Sequence, residues 1–140
     1  MPNSSYTILY VDDDQDDLVL IAEAFEKYTS DLRVTHAHDG HECMQILRRM
    51  HEKNTSPCLI ILDLNMPLMD GKQTLAEIKS ADEYKEIPVV LFSTSSQDGD
   101  RLYAEKHGVD FVIKPARFSD IEKLVEQFVE KCRFQVKSPA

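Results

Sequence analysis

Four short polar stretches carry the side chains able to do chemistry in this 140-residue chain. They are Asp12-Asp13-Asp14-Gln15-Asp16-Asp17, Asp63 with Asn65 two residues on, Ser93-Thr94-Ser95-Ser96, and Lys114-Pro115. Each follows a run of apolar residues: Tyr6 to Val11, Leu59 to Leu62, Ile87 to Phe92, and Phe111 to Ile113. Carboxylates held close repel one another and destabilise the fold unless a cation sits among them. Oxygen ligands alone suit a hard ion, and Mg²⁺ is the occupant such a set would take. A lysine and a hydroxyl beside them are phosphate chemistry, one a point charge and the other a hydrogen-bond donor. The implied reaction class is phosphoryl transfer, which rests mainly on positioning and on neutralising charge.

These groups meet only if the apolar runs before them lie side by side and point the same way. Leu59-Ile60-Ile61-Leu62 is four branched aliphatics in succession, which predicts a strand buried on both faces at the centre of a parallel sheet. Leu32 to Ala37 alternates as a further strand. Between the strands, apolar residues recur at helical spacing: Leu18, Ile21, Ala22, Phe25 and Tyr28; then Cys43, Ile46, Leu47 and Met50; then Leu75 and Ile78 after Gly71. Asp98 to His107 has a poor stripe in Leu102 and Tyr103. Ile121, Leu124, Val125, Phe128 and Cys132 form the cleanest stripe, and the tail from Gln135 is expected to fray. Five strand–helix units in alternation predict an α/β fold, a parallel sheet with helices on both faces. Ligands of such sheets bind outside the carboxyl ends of the strands, where all four polar stretches fall.

The length suits one domain with a substantial core and leaves no room for a second. Hydrophobic residues make up 42% and charged residues 29%, as in an ordinary globular protein. A formal net charge of -9 argues against nucleic acid as a partner. Cys43, Cys58 and Cys132 are far apart without metal-ligand spacing, which predicts free thiols in a reduced cytoplasm. Met1 to Tyr6 lacks an apolar signal core and no run approaches membrane-spanning length, so no membrane partner is expected.

Plainer roles compete for the same residues. Asp14, Asp16 and Asp17 read as carboxylates complementing the start of a helix. An EF-hand loop would use Asp12, Asp14, Asp16 and Glu23, but Asp17 stands where that loop needs glycine, and a strand precedes it instead of a helix. The histidines, His36, His38, His41, His51 and His107, show no ligand pattern.

Together, Asp12-Asp13, Asp63-Leu64-Asn65-Met66-Pro67 with Asp70-Gly71, Ser93 and Lys114-Pro115 resemble the receiver domain of two-component response regulators. The likeness runs from Thr7 to about Arg133, in the stand-alone form. It implies a flavodoxin-like, doubly wound, five-stranded parallel sheet in the order 2-1-3-4-5 with five helices. One receiver would fill residues 1–140, with a core of about 6–133 and a flexible tail. Asp63 would accept a phosphoryl group from a sensor histidine kinase or a histidine phosphotransfer protein. Asp13, Asp63 and the Asn65 carbonyl would hold Mg²⁺, and Asp12 would act through water. Lys114 would hold the phosphoryl oxygens, Ser93 would move to bond them, and Phe111 would turn inward behind it. Lys114-Pro115 would be cis, an isomer cheap only before proline. Asn65 and Ser95 would overhang the site and set the phosphoryl lifetime. Receivers often pair through the fourth helix, fifth strand and fifth helix, so a homodimer is expected alongside a downstream protein partner. Such a chain is a self-phosphorylating switch and not a conventional enzyme.

Two other classes fit less well. An Mg²⁺-dependent phosphatase or phosphotransferase of the haloacid dehalogenase type wants Asp-x-Asp, and Asp63-Leu64-Asn65 lacks the second carboxylate. A flavin binder wants a Ser/Thr/Gly-rich phosphate loop after the first strand, where carboxylates here would repel it.

Overall fold

The computed structural model describes residues 6–28, 31–64, 66, 70–94 and 98–137. Five strands, β1 (Tyr6–Val11), β2 (Leu32–Ala37), β3 (Leu59–Asp63), β4 (Val89–Ser93) and β5 (Asp110–Ile113), alternate with five helices. The helices are α1 (Gln15–Phe25), α2 (Gly40–Glu52), α3 (Gly71–Ser80), α4 (Asp98–Lys106) and α5 (Phe118–Lys137), and a 3-10 turn at Glu26–Tyr28 extends α1. All strand pairs are parallel, in the order β2-β1-β3-β4-β5. This is the flavodoxin-like, doubly wound arrangement that the strand–helix alternation and the receiver resemblance predict.

Alternate residues of a strand face opposite sides of its sheet, and the core divides accordingly. Ile8, Tyr10, Leu59, Ile61, Val90 and Phe92 pack under α1 and α5. Leu9, Val11, Ile60, Leu62, Val89 and Leu91 pack under α2, α3 and α4. Each residue of β3 is buried, as a central strand covered on both faces must be. The α1 stripe uses Leu18, Ile21, Ala24 and Phe25, while Ala22 is only partly covered. Helix α4 has Ala104 as its one fully buried apolar residue among those described, and polar contacts hold it instead. The Tyr103 hydroxyl donates to the Lys72 carbonyl at 3.1 Å, and Lys72 pairs with Asp100 at 3.0 Å.

Two expectations need correction here. Cys58 and Cys132 do not stay reduced: they form a disulfide, with Cα atoms 5.1 Å apart across a sequence separation of 74. Both point into the core under α1 and α5, a proximity created by tertiary packing and invisible in their spacing. Cys43 alone is free, and burial, with Asp39 adding to it, pushes its thiol up to about 12. The tail from Gln135 also does not fray at that residue, since α5 stays helical through Lys137. No helix among the described residues is long and apolar enough to cross a membrane.

Candidate functional site

Strand register assembles the site. Val11 pairs with Leu62, Asp63 with Phe92, and Ser93 with Ile113. The residues just beyond those pairs, Asp12 and Lys114, therefore come to the same rim as Asp63. Backbone bonds fix the ends: Asp12 N–H to Ala37 O at 3.0 Å, Leu64 N–H to Phe92 O at 3.0 Å, and Lys114 N–H to Ser93 O at 2.7 Å. Alternation then sorts the chemistry. Asp12, Asp63 and Lys114 continue the alternation of Tyr10, Ile61 and Val112, on the α1 and α5 side. Ser93 continues that of Leu91, which with Phe111 belongs to the opposite side under α4.

The charges are close and mostly buried. Asp12 is fully buried and Asp63 is 3% exposed, whereas Asp13 is open to solvent. Lys114 Nζ donates to Asp17 Oδ2 at 2.8 Å and to Asp12 Oδ2 at 3.0 Å, and lies 3.5 Å from Asp63 Oδ2. Burial opposes the charge on Lys114, yet the bond to Asp17 and the Asp63 and Asp12 carboxylates outweigh it and raise its pKa above the usual lysine range. On its other flank Asp12 accepts the Tyr10 hydroxyl at 2.5 Å and the Asp14 N–H at 3.0 Å. Burial, and then the Asp12 charge, drive the Tyr10 phenol far above its ordinary pKa.

The α3 start is built to lie against this rim. Asp70 caps it in a reciprocal box with Gln73. Gly71 follows because nothing larger fits: a Cβ there would sit 2.4 Å from the Asp63 carbonyl oxygen and 2.7 Å from Leu64 Cα.

Of the residues singled out by sequence, Asp12, Asp13, Asp63 and Lys114 converge. Ser93 is buried at the same strand end, and Phe111 is half-buried beneath the Arg101 guanidinium, 5.1 Å from its ring centre. Asn65 and Ser95 lie outside the described residues. Lys114-Pro115 is trans and not cis, which is the intrinsic preference of an X–Pro bond by roughly 0.5–1 kcal/mol. Two participants were missed. Asp17 turns from the helix start to Lys114, and nothing in the sequence sets it apart from the acidic residues beside it. Tyr10 had a visible signal, a phenol two residues before Asp12 and so on the same strand face.

Asp12, Asp13 and Asp63 each present a carboxylate oxygen within 4.8 Å of the others, the one such His/Cys/Asp/Glu cluster among the described residues. Oxygen donors at that spacing fit a hard divalent cation. Residues 8–126 match the family model of the response regulator receiver domain. The chain belongs to that family. Its relatives include the probable methanogenesis regulatory protein FilR2 of Methanothrix harundinacea, 35% identical over 89% of this chain and 82% of that one. Response regulator Rcp1 of Synechocystis sp. is 35% identical over 89% of this chain and 86% of its own. Among solved structures, the phosphorylated cyanobacterial phytochrome response regulator RcpA superposes with a TM-score of 0.83 at 34% identity, covering 98% of both chains. The Mn²⁺-bound form of Rcp1 superposes with a TM-score of 0.79 at 32% identity, over 96% of this receiver and 97% of Rcp1. This receiver is thus a switch domain of two-component, phosphorelay signalling. Receivers bind a divalent metal and take their phosphoryl group from histidine kinases or phosphotransfer proteins.

Proposed function

We propose that Asp63 is the phosphoacceptor of a single receiver unit with its core over about 6–133, fed by a sensor histidine kinase or a histidine phosphotransfer protein. The observation that carries this is the ammonium of Lys114 lying 3.5 Å from the Asp63 carboxylate within a cluster of acceptor oxygens. An Asp63 oxygen attacks phosphorus, forming the acyl phosphate as the bond to the donor histidine nitrogen breaks, and the imidazole leaves. Lys114 follows the phosphoryl oxygens as they arrive. A divalent cation such as Mg²⁺ would be held by Asp13 and Asp63, with Asp12 and Asn65 contributing, and would supply charge neutralisation for the transfer. Phosphorylation adds negative charge and acceptor oxygens at Asp63. Ser93 moves to bond them, Phe111 fills the space it leaves, and the α4–β5 surface shifts between two pre-existing states.

The exposed apolar side chains Leu102, Ile113 and Phe118, on α4, β5 and α5, support that surface as the one a downstream protein or a second copy reads. The partner chemistry is protein and not nucleic acid, in keeping with the net charge of -9. The kinase-fed receiver reading alone supports a cytoplasmic place for this chain, since the Cys58–Cys132 bridge removes the argument from free thiols. Position 65 is Asn, so a phosphatase reading lacks its general acid.

Asp13→Asn tests the site. It is expected to abolish phosphorylation by a cognate kinase or by acetyl phosphate while the circular dichroism spectrum stays native, because Asp13 is exposed and supports no core contact. Phosphoryl uptake at the wild-type rate in Asp13→Asn, or in excess chelator, would falsify the metal-assisted mechanism.

A further inference from the structure

Asp14, Asp16 and Asp17 share one stretch at the start of α1, but they do different things. Asp14 caps the helix through the Asp16 and Asp17 N–H groups, and Asp16 is exposed. Asp17 instead holds Lys114, and at 2.8 Å it is nearer the ammonium than either Asp12 at 3.0 Å or Asp63 at 3.5 Å. One cation thus serves three carboxylates, and the nearest of them sits on a helix, off the strand rim. A cavity of about 20 Å³ lies against Lys114 and Asp17, walled by Tyr10, Leu20, Phe92 and Ile121. That is room for about one water beside the ion pair that joins these two side chains.

We propose that Asp17 is the resting counter-ion of Lys114, and that phosphorylation hands the ammonium from Asp17 to the phosphoryl group on Asp63. Asp17 is then a positioning residue that sets how tightly the site holds a phosphoryl group and couples its occupancy to α1. This rests on the receiver reading above. Lys114 stays protonated throughout and no covalent bond changes in the handover; only the partner of the ammonium does. Asp17 stabilises the unphosphorylated state by its ion pair and opposes the phosphorylated one by repelling the added charge. Toward a divalent cation its effect has the opposite sign. It shares Lys114 with Asp12 and Asp63, which weakens the hold of the ammonium on those two carboxylates, and it adds negative charge near the metal.

Asp17→Asn therefore separates this role from a structural one. In the intact chain, two titrations are measured: Mg²⁺ alone, and beryllofluoride, a phosphoryl mimic, at saturating Mg²⁺. The variant is expected to bind Mg²⁺ about fivefold more weakly and beryllofluoride about fivefold more tightly, a change at the upper end of that expected for a partly exposed ion pair. Asp16→Asn makes the same charge change on the same helical turn and is expected to stay within about twofold of wild type in both. Asp17→Glu keeps the charge and is expected to restore Mg²⁺ affinity toward wild type. The handover is overturned if Asp17→Asn moves both affinities in the same direction, moves neither, or matches Asp16→Asn. A wild-type chain that binds no beryllofluoride overturns the reading of Asp63 as phosphoacceptor, and the proposal with it.

Discussion

Tyr10 buries a phenol in the sheet and aims its hydroxyl at the equally buried Asp12, 2.5 Å away. Its ring meets Phe92 edge-on at 6.2 Å, and Phe92 in turn lies 5.6 Å below the Lys114 ammonium. This residue connects the core to the charge cluster and makes stability depend on alkaline pH. The folded pKa of Tyr10 is raised, and so is that of Lys114. Both groups ionise near pH 10 in an unfolded chain. Below about pH 10 both hold their protons in either state, and their contribution is fully present. Above it the unfolded state releases protons that the folded state keeps, so stability falls as pH rises. Urea midpoints are expected to stay level from about pH 7 to 8, to slope down gently as the raised thiol of buried Cys43 begins to count, and to drop more steeply beyond about 10. Tyr10→Phe should lessen that drop, while lowering stability at neutral pH by about 1–2 kcal/mol because Asp12 loses a donor. An undiminished alkaline drop in the variant would assign the effect elsewhere.

At the scale of elements, the α3 start determines where the Asp63 backbone lies. The absent Cβ of Gly71 is what lets the helix approach to within contact of Asp63 and Leu64 backbone atoms. Gly71→Ala is expected to destabilise the fold by about 1–3 kcal/mol, as overpacking does, and to slow phosphorylation because the displaced atoms belong to Asp63, the proposed acceptor. Thermal melts and phosphorylation rates check both, and a variant matching wild type in each would mean that the helix shifts freely. The strands were the legible part of the chain, since β1 and β2 can be bounded from apolar runs alone. β4 and β5 differ by a residue or two at their ends, because Ser93 and Asp110 continue the ladder despite being polar. Asp12, Asp63 and Lys114 were legible for the same reason: each is the first polar residue after, or the last within, an apolar strand. Asp17 was not, because a carboxylate in the first turn of a helix already has a sufficient local explanation. Only its distance to a lysine 97 positions away distinguishes it. Helix α4 was legible as weakly apolar but not as polar-anchored through Tyr103 and Lys72.

The whole molecule is closed by the Cys58–Cys132 bridge, which joins the residue before β3 to a residue late in α5. A cross-link spanning 74 positions restricts the unfolded chain far more than the folded one, and reduction is expected to cost about 2–5 kcal/mol. Urea unfolding with and without dithiothreitol measures this, and coincident midpoints would show that the bridge contributes nothing. Cys43 is no alternative target, being buried with a thiol held well above the usual range. The bridge also constrains what motion is open to α5. At the usual rise of about 1.5 Å per residue, about 20 Å of helix separates Phe118 from Cys132. Cys58 leads into the start of β3, while Asp63 lies at its other end, so the helix is bolted down at the end remote from the chemistry. The bridge thereby opposes sliding along the helix axis more than it opposes a tilt about Cys132. Any tilt of the helix would be smallest at the bolt and largest at Phe118, whose ring is exposed.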